Sequence, residues 1–284
     1  MASMIKALVI LLLATVVFGT GGYFAYVLFV RPDLMLQRDK VHQASLPAAT
    51  PTPDASLPVY DKAVALQKDG KLTEAQQVLE TFLTEYPASS KVVEATELLG
   101  RVNAEQFFTP GPGPNKIGYT VQRGDAIAKI ERRLRTSADL IMLTNRLSDP
   151  TRLQVGQHLW VPQADFVVKI KRPEQVVVLF NHGHFFRQYQ PLSWQAPKTK
   201  LSSPTAKVTE KVAWKEGARV SFGSQDYNGS LRWIVVSQPG FTLFSDSKDP
   251  AIKVERPNGG IGLRPEDADQ ISALVNRNTP VIID

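Results

Sequence analysis

Hydrophobic and polar positions change their period several times along the chain, and each change marks a segment. From Ala7 to Val30 there is no charged residue, a run of about 24 flanked by Lys6 and Arg31. With a rise of about 1.5 Å per residue, a helix of that length crosses a hydrocarbon core of about 30 Å. Tyr23, Phe24 and Tyr26 near its far end fit an interfacial aromatic belt. The run is too long for a signal-peptide core and no Ala-x-Ala site follows it, so it reads as an uncleaved membrane anchor. Ala44 to Ser56 is proline-rich and reads as an extended spacer.

From Pro58 to Phe108 the period is helical. Tyr60, Ala63, Val64 and Leu66 form one apolar face, broken by Asp69-Gly70-Lys71. Leu72, Ala75, Val78, Leu79, Phe82 and Leu83 form a second, closed by Tyr86-Pro87. Val92, Val93, Ala95, Leu98, Leu99 and Val102 form a third. The proline–glycine run from Thr109 to Asn115 ends the helices and predicts a hinge. Between Tyr119 and Pro162 the order is strand, helix, helix, strand. Gly124 makes the first turn, and Ile127, Ile130 and Leu134 share a helix face. Thr136 or Ser137 caps a second helix, which leads to Asn145. Gly156 then feeds the alternating strand that Pro162 ends, placed to pair with the first. Beyond Pro162 the period becomes two. Phe166, Val168 and Ile170 alternate, Val176–Phe180 and Phe185–Tyr189 flank a turn at Asn181-His182-Gly183, and further strands are expected at 206–212, 231–237, 241–244 and 280–283. One helix is expected from Pro265 to near Asn278.

The stretch Tyr-Thr-Val-x-x-Gly-Asp from Tyr119, the central Asn145 and the closing Leu-x-x-Gly-Gln-x-Leu-x-Val-Pro from Leu153 stand in register. Together they resemble a LysM module, a carbohydrate-binding domain of bacterial cell-wall proteins. The resemblance implies that N-acetylglucosamine-containing glycan of peptidoglycan sits in a shallow groove. That groove maps onto Gly124, Asp125, Ala126 and Ile127 on one side and Leu153, Gln154 and Val155 on the other. Two positions depart from the family pattern: Ala126 stands where Thr is usual, and Glu131 where Ala is usual. Read without the family, Gly124 and Gly156 are turn residues of a structural module.

Three further stretches, Val176–Tyr189, Ser203–Lys211 and Gly259–Ala268, with Thr279–Ile283, resemble the L,D-transpeptidase (YkuD-type) catalytic domain. That family cross-links peptidoglycan stem peptides with a cysteine thiolate set in Ser-His-Gly-Cys-x-Arg. At those positions this chain has Pro257-Asn258-Gly259-Gly260-Ile261-Gly262, so Asn258, Gly260 and Gly262 occupy degenerate active-site positions. The upstream His-Gly pair falls near Thr242-Leu243 and is missing too. The helical segment, with Ala63, Gly70, Ala75 and Pro87, resembles about one and a half tetratricopeptide-like repeats of about 34 residues each. It serves either as a protein-interaction surface or as a helical spacer or self-association element.

Composition narrows the chemistry. The 284 residues contain no cysteine, which removes disulfides, thiolate metal sites and a cysteine nucleophile. The net charge of +6 is diffuse, suiting an anionic envelope and giving no argument for nucleic acid. His182 and His184 lack a third ligand, so no metal site is expected. Among the carboxylates Asp246, Asp249, Glu266 and Asp267, capping and helix-dipole roles fit Glu266 and Asp267 better than paired acid–base work. No cofactor is implied.

The expected architecture is therefore multidomain α+β. It comprises a transmembrane anchor (1–31), a proline-rich linker (32–57), a helical tetratricopeptide-like segment (58–108) and a hinge (109–117). A βααβ LysM module (118–162) and a mostly-β transpeptidase-like domain without its nucleophile (163–284) follow. The expected function is a non-enzymatic peptidoglycan-binding protein, single-pass in the bacterial inner membrane through residues 7–30, its bulk facing the periplasm or extracytoplasmic space. The degenerate domain gives a second surface for the wall or a partner. Two rivals stand beside it: a peptidoglycan-modifying enzyme with an unrecognised active site, and a scaffold whose helical segment docks envelope proteins.

Overall fold

The computed structural model describes residues 54–284 apart from Pro114, Lys200 and Ser202. The expected membrane span at 7–30 and most of the expected linker lie outside the described residues. Among the described residues, no helix is long and apolar enough to cross a membrane.

Three helices come first: α1 (Ser56–Lys68), α2 (Leu72–Glu85) and α3 (Val92–Phe108). The helical period is realised as a shared core of Ala63, Ala75, Leu79, Phe82, Ala95, Leu98 and Val102. Gly70 closes α1 in the left-handed region, with Lys71 N–H donating to Leu66 O at 2.9 Å.

The βααβ module follows as β1 (Lys116–Thr120), α4 (Ile127–Leu134), α5 (Ala138–Thr144) and β2 (His158–Pro162). β1 and β2 pair antiparallel, with Tyr119 opposite Leu159. Lys116 and Ile117, expected in the hinge, are already strand, because they extend the β2 ladder to Val161 and Pro162. Ser137 rather than Thr136 caps α5, accepting from Leu140 N–H at 3.0 Å. A small separate core of Val121, Ile127, Ile130, Ile141, Leu159 and Val161 fills the module.

The remaining strands are β3 (Phe166–Lys171), β4 (Val176–Asn181), β5 (His184–Tyr189), β6 (Ser193–Trp194) and β7 (Thr205–Lys215). They continue as β8 (Ala218–Val220), β9 (Leu231–Val236), β10 (Leu243–Ser245), β11 (Ile261–Leu263) and β12 (Pro280–Ile283), with α6 (Pro265–Leu274) between the last two. They form a ten-stranded sheet in the order β5-β4-β3-β12-β7-β9-β10-β11-β6, with β8 on β7. The helix expected to reach Asn278 stops at Leu274. Val275 is extended, and Asn276 to Thr279 turn so that the Asn278 N–H and the Thr279 carbonyl bond to Val208.

The parts are not beads on a string. Phe107 of α3 and Leu140 of α5 belong to the main core of the β domain, beside Phe166, Phe186 and Ile271. Phe107 packs edge-on against Phe166 and Phe186 at 5.6 and 5.4 Å. Gly100 lets α3 approach edge strand β5, since a Cβ there would lie 3.0 Å from Arg187 Cγ. Asn103 Nδ2 donates to the carbonyls of Phe185 and Phe186 at 3.1 and 3.0 Å. These contacts cover an otherwise bare sheet edge. On the other side, Ser137 Oγ donates to Ala273 O at 2.6 Å, and Asp139 accepts from Tyr227 Oη at 2.8 Å and Lys211 Nζ at 3.3 Å.

Candidate functional site

The two segments expected to hold glycan are brought together by the turn chemistry of the βααβ module. Val121 N–H donates to Gln157 O at 2.9 Å, and Gly156 N–H donates back to Val121 O at 2.8 Å. This pair of bonds ties the turn after β1 to the turn before β2. Gly124 and Gly156 both have positive φ, and a Cβ at either would meet only open space. Both turns therefore present bare backbone outward. Val155 stands 70% exposed beside Gly156, while Leu153 is half-buried against the module core. Gln154 is exposed, its N–H held by Gln157 Oε1 at 3.1 Å.

The side chains of this region divide by direction. Ile127 is buried and braces the floor. Ala126 is exposed and extended at the start of α4, without a side-chain cap. Asp125 turns inward: its carboxylate accepts from Tyr119 Oη at 2.5 Å and Gln122 N–H at 2.8 Å, with Arg133 at 3.4 Å. The Tyr119 hydroxyl, then the Gln122 N–H, hold Asp125 below the usual carboxylate range. Asp125 thus knots the first turn, and its backbone alone is offered to a ligand. Asn145 is structural as well. Its Oδ1 accepts from Trp160 N–H at 2.7 Å, and its Nδ2 donates to Trp160 O at 2.7 Å and Ile141 O at 2.8 Å. It satisfies the outward backbone of β2 as a third strand would.

Residues 119–162 match the LysM domain. The seven residues that the sequence suggested for glycan, Gly124–Ile127 and Leu153–Val155, lie within this matched segment, at or beside the two tied turns. No curated protein sequence matches the chain. Among solved structures, an L,D-transpeptidase from Mycobacterium smegmatis matches over 46% of this chain and 74% of its own, at 14% identity and a TM-score of 0.30. An L,D-transpeptidase (Yku) from Stackebrandtia nassauensis covers 56% of this chain and 75% of its own, at 15% identity and a TM-score of 0.29. L,D-transpeptidase 3 from Mycobacterium tuberculosis, in complex with a faropenem-derived adduct, covers 60% and 91%, at 14% identity and a TM-score of 0.29.

Asn258, Gly260 and Gly262, singled out from the sequence, lie around one pair of strands in the β domain. β10 and β11 are parallel, with Leu243 opposite Ile261 and Phe244 opposite Gly262. The Thr242-Leu243 pair therefore adjoins Gly260 and Gly262, while Asn258 is exposed in the turn before them. Neither buried glycine leaves room for a side chain. At Gly260, φ is 146° and a Cβ would stand 2.5 Å from Thr242 O, the acceptor of Ile261 N–H. At Gly262 a Cβ would meet Ser193 Oγ at 2.2 Å and Asp246 Oδ2 at 2.6 Å. That space holds a hydrogen-bonded set: Asp246 accepts from Ser193 Oγ at 2.5 Å, Arg256 at 2.7 Å and Ser247 N–H at 2.9 Å. Burial pushes the Asp246 carboxyl up, but these three donors outweigh it and hold it below the ordinary range.

The other candidates are dispersed. His182 and His184 are exposed at the β4–β5 turn, with His182 itself at positive φ. Asp249 folds back on its own loop, accepting from Ala251 N–H at 2.9 Å. Glu266 and Asp267 lie in the first turn of α6, and Asp267 takes Arg264 at 2.7 Å and Arg187 at 3.3 Å. Among the described residues, no three histidines or carboxylates converge as a metal site.

Sequence reasoning missed Arg232, whose guanidinium lies 3.9 Å from the Tyr227 ring centroid and donates to Asp269 at 2.7 Å and Ser230 Oγ at 2.8 Å. The signal existed: Arg232 has the same strand parity as the buried Ile234 and Val236. Ser193 had none, because its strand is two residues long.

Proposed function

We propose that the protein is a non-catalytic cell-wall-binding protein that holds N-acetylglucosamine-containing peptidoglycan glycan on the LysM groove. The observation that carries this reading is a full-length LysM match whose two glycine turns are tied together and open outward. Exposed backbone N–H and C=O groups suit sugar hydroxyls and N-acetyl amides, and Val155 adds an apolar contact. The positive net charge of +6 favours encounter with an anionic wall. Residues 7–30 are assigned as the bilayer anchor in a bacterial inner membrane, and wall binding through the LysM module requires the bulk to face outside the cytoplasm. The β domain serves as a second surface for wall or partner.

The lack of acyl transfer is supported by the absence of cysteine from the sequence and by the closed space at Gly260 and Gly262. A chain with a different, unrecognised nucleophile is the rival. Intact-mass measurement with a carbapenem or a tetrapeptide donor separates the two: no adduct is expected, and a stable adduct overturns the non-catalytic reading. The tetratricopeptide-like segment is assigned a docking role only on faces that α3 does not spend on β5.

Deleting the LysM module is a poor test of binding, because Leu140 and Ser137 are built into the β domain. Val155→Glu is better, since an exposed side chain at a turn tolerates change. We expect co-sedimentation with purified sacculi to fall several-fold at unchanged melting temperature. Full binding by that variant refutes the assignment of the groove.

A further inference from the structure

Between the LysM module and the β domain lies a cavity of about 470 Å³, within the size range of small-molecule sites. Three elements build it. α5 gives Asp139, Met142 and Leu143, which share a helix face by their spacing of three and four. α6 gives Asp269 and Ser272, three residues apart and therefore side by side. The loop from β8 to β9 gives Phe222 and Tyr227, whose rings meet edge to face at 5.1 Å. That loop is held in place: Tyr227 Oη donates to Asp139 at 2.8 Å, and a Cβ on Gly223 would stand 3.1 Å from Pro150 Cγ of the LysM module.

Most of the charge in this cavity is already committed. Arg232, the one cation lining it among the described residues, is held by Asp269 Oδ1, Ser230 Oγ, the Tyr227 carbonyl and the Tyr227 ring. Asp139 is taken by Tyr227 and Lys211, and Asp149 at the rim by Thr151 and Arg152. Two acceptors are left. Among the described residues, Asp269 Oδ2 accepts no hydrogen bond. Ser272 is only 3% exposed and its hydroxyl makes no hydrogen bond either, yet that oxygen is not sealed from solvent. Leu143 and Phe222, 43% and 39% exposed, add an apolar wall. A carboxylate oxygen beside a hydroxyl accepts two N–H groups of an ammonium, and an aromatic ring attracts its charge. A metal ion would leave the apolar wall uncovered, and an anion would meet the free carboxylate oxygen. We propose that this cavity binds a primary ammonium group carried on a short apolar stem, with the nitrogen at Asp269 and Ser272 and the stem against Leu143 and Phe222. The site shares no residue with the glycan groove and does not rest on that reading.

The test is isothermal titration of the purified full chain, in one non-ionic detergent at fixed concentration, with n-butylamine and with Nα-acetyl-lysinamide. Nα-acetyl-norleucinamide, whose stem ends in a methyl group, is the neutral control, and ionic strength is matched with sodium chloride throughout. Both amines should bind, and norleucinamide should bind at least about tenfold more weakly, as loss of a charge-assisted hydrogen bond predicts. Ser272→Ala should weaken amine binding about tenfold at an unchanged or raised melting temperature, since alanine suits a helix interior. Phe222→Leu keeps the apolar wall and removes the ring, so affinity should fall a few-fold. Binding of lysinamide alone would assign the ammonium to an amino-acid side chain, and of butylamine alone to a free amine; either supports the site. No binding of either amine, equal binding of norleucinamide, or an affinity unchanged in both variants overturns it.

Discussion

Replacing Asn145 with alanine removes three hydrogen bonds at once, those between its amide and Trp160 N–H, Trp160 O and Ile141 O. Ile141 O keeps Asn145 N–H at 3.2 Å, so that loss is cheap. The two bonds to Trp160 are not replaced, because β2 has only β1 beside it. At about 1 kcal/mol net per bond, with an added cost for half-buried backbone left unpaired, Asn145→Ala should cost about 2–3 kcal/mol. Asn145→Asp should cost more, because it keeps the acceptor for Trp160 N–H but turns a carboxylate onto two carbonyl oxygens. A two-stranded sheet is marginal alone, so the loss should appear first as local opening. Hydrogen exchange over residues 153–165, beside a urea titration, reads both levels. Less than about 0.5 kcal/mol for both variants, or a milder effect for aspartate than for alanine, would refute the clamp.

Gly262→Ala should destabilise the β domain by at least about 2 kcal/mol by overpacking against Ser193 and Asp246, read as a lower urea midpoint. Gly260→Cys should likewise fail to give an active thiol, measured as an absent carbapenem adduct alongside a lowered melting temperature. Phe107→Ala, which empties a ring from the main core, should cost about 3–5 kcal/mol and expose α3 to limited proteolysis. Stability should also depend on pH at both ends. Asp125 and Asp246 have folded pKa values below their unfolded ones, so their contribution is present above about pH 4 and is lost as pH falls further. Burial raises Tyr189 and Tyr227, so unfolded phenols ionise first and stability should decline above about pH 10, measured by melting curves across buffers.

The sequence was most legible where one local rule acts alone. Gly70 and Pro87 mark the ends of α1 and α2 because helix breaking is local chemistry, and Ser137 is a cap by its own oxygen. The groove turns were visible because glycine is needed where φ is positive. Asn145 was visible as a motif, yet its purpose was not: its partner Trp160 is fifteen residues away and is addressed through backbone groups. The short strands β6, β8 and β11 were illegible, since two or three residues carry no period.

By itself the sequence determined the three helices, the βααβ order, the period-two character beyond Pro162 and the absence of any thiol, because these follow from spacing and composition. The tertiary structure alone decided that the expected hinge does not leave the modules independent. Phe107 and Leu140 look like ordinary helix-face residues, and only folding reveals that they fill the β domain's core instead of their own. The same holds for the spaces at Gly260 and Gly262, closed by Thr242, Ser193 and Asp246 from distant parts of the chain. Burial is a property of what packs against a residue, and a linear pattern specifies which face is apolar without specifying which partner covers it.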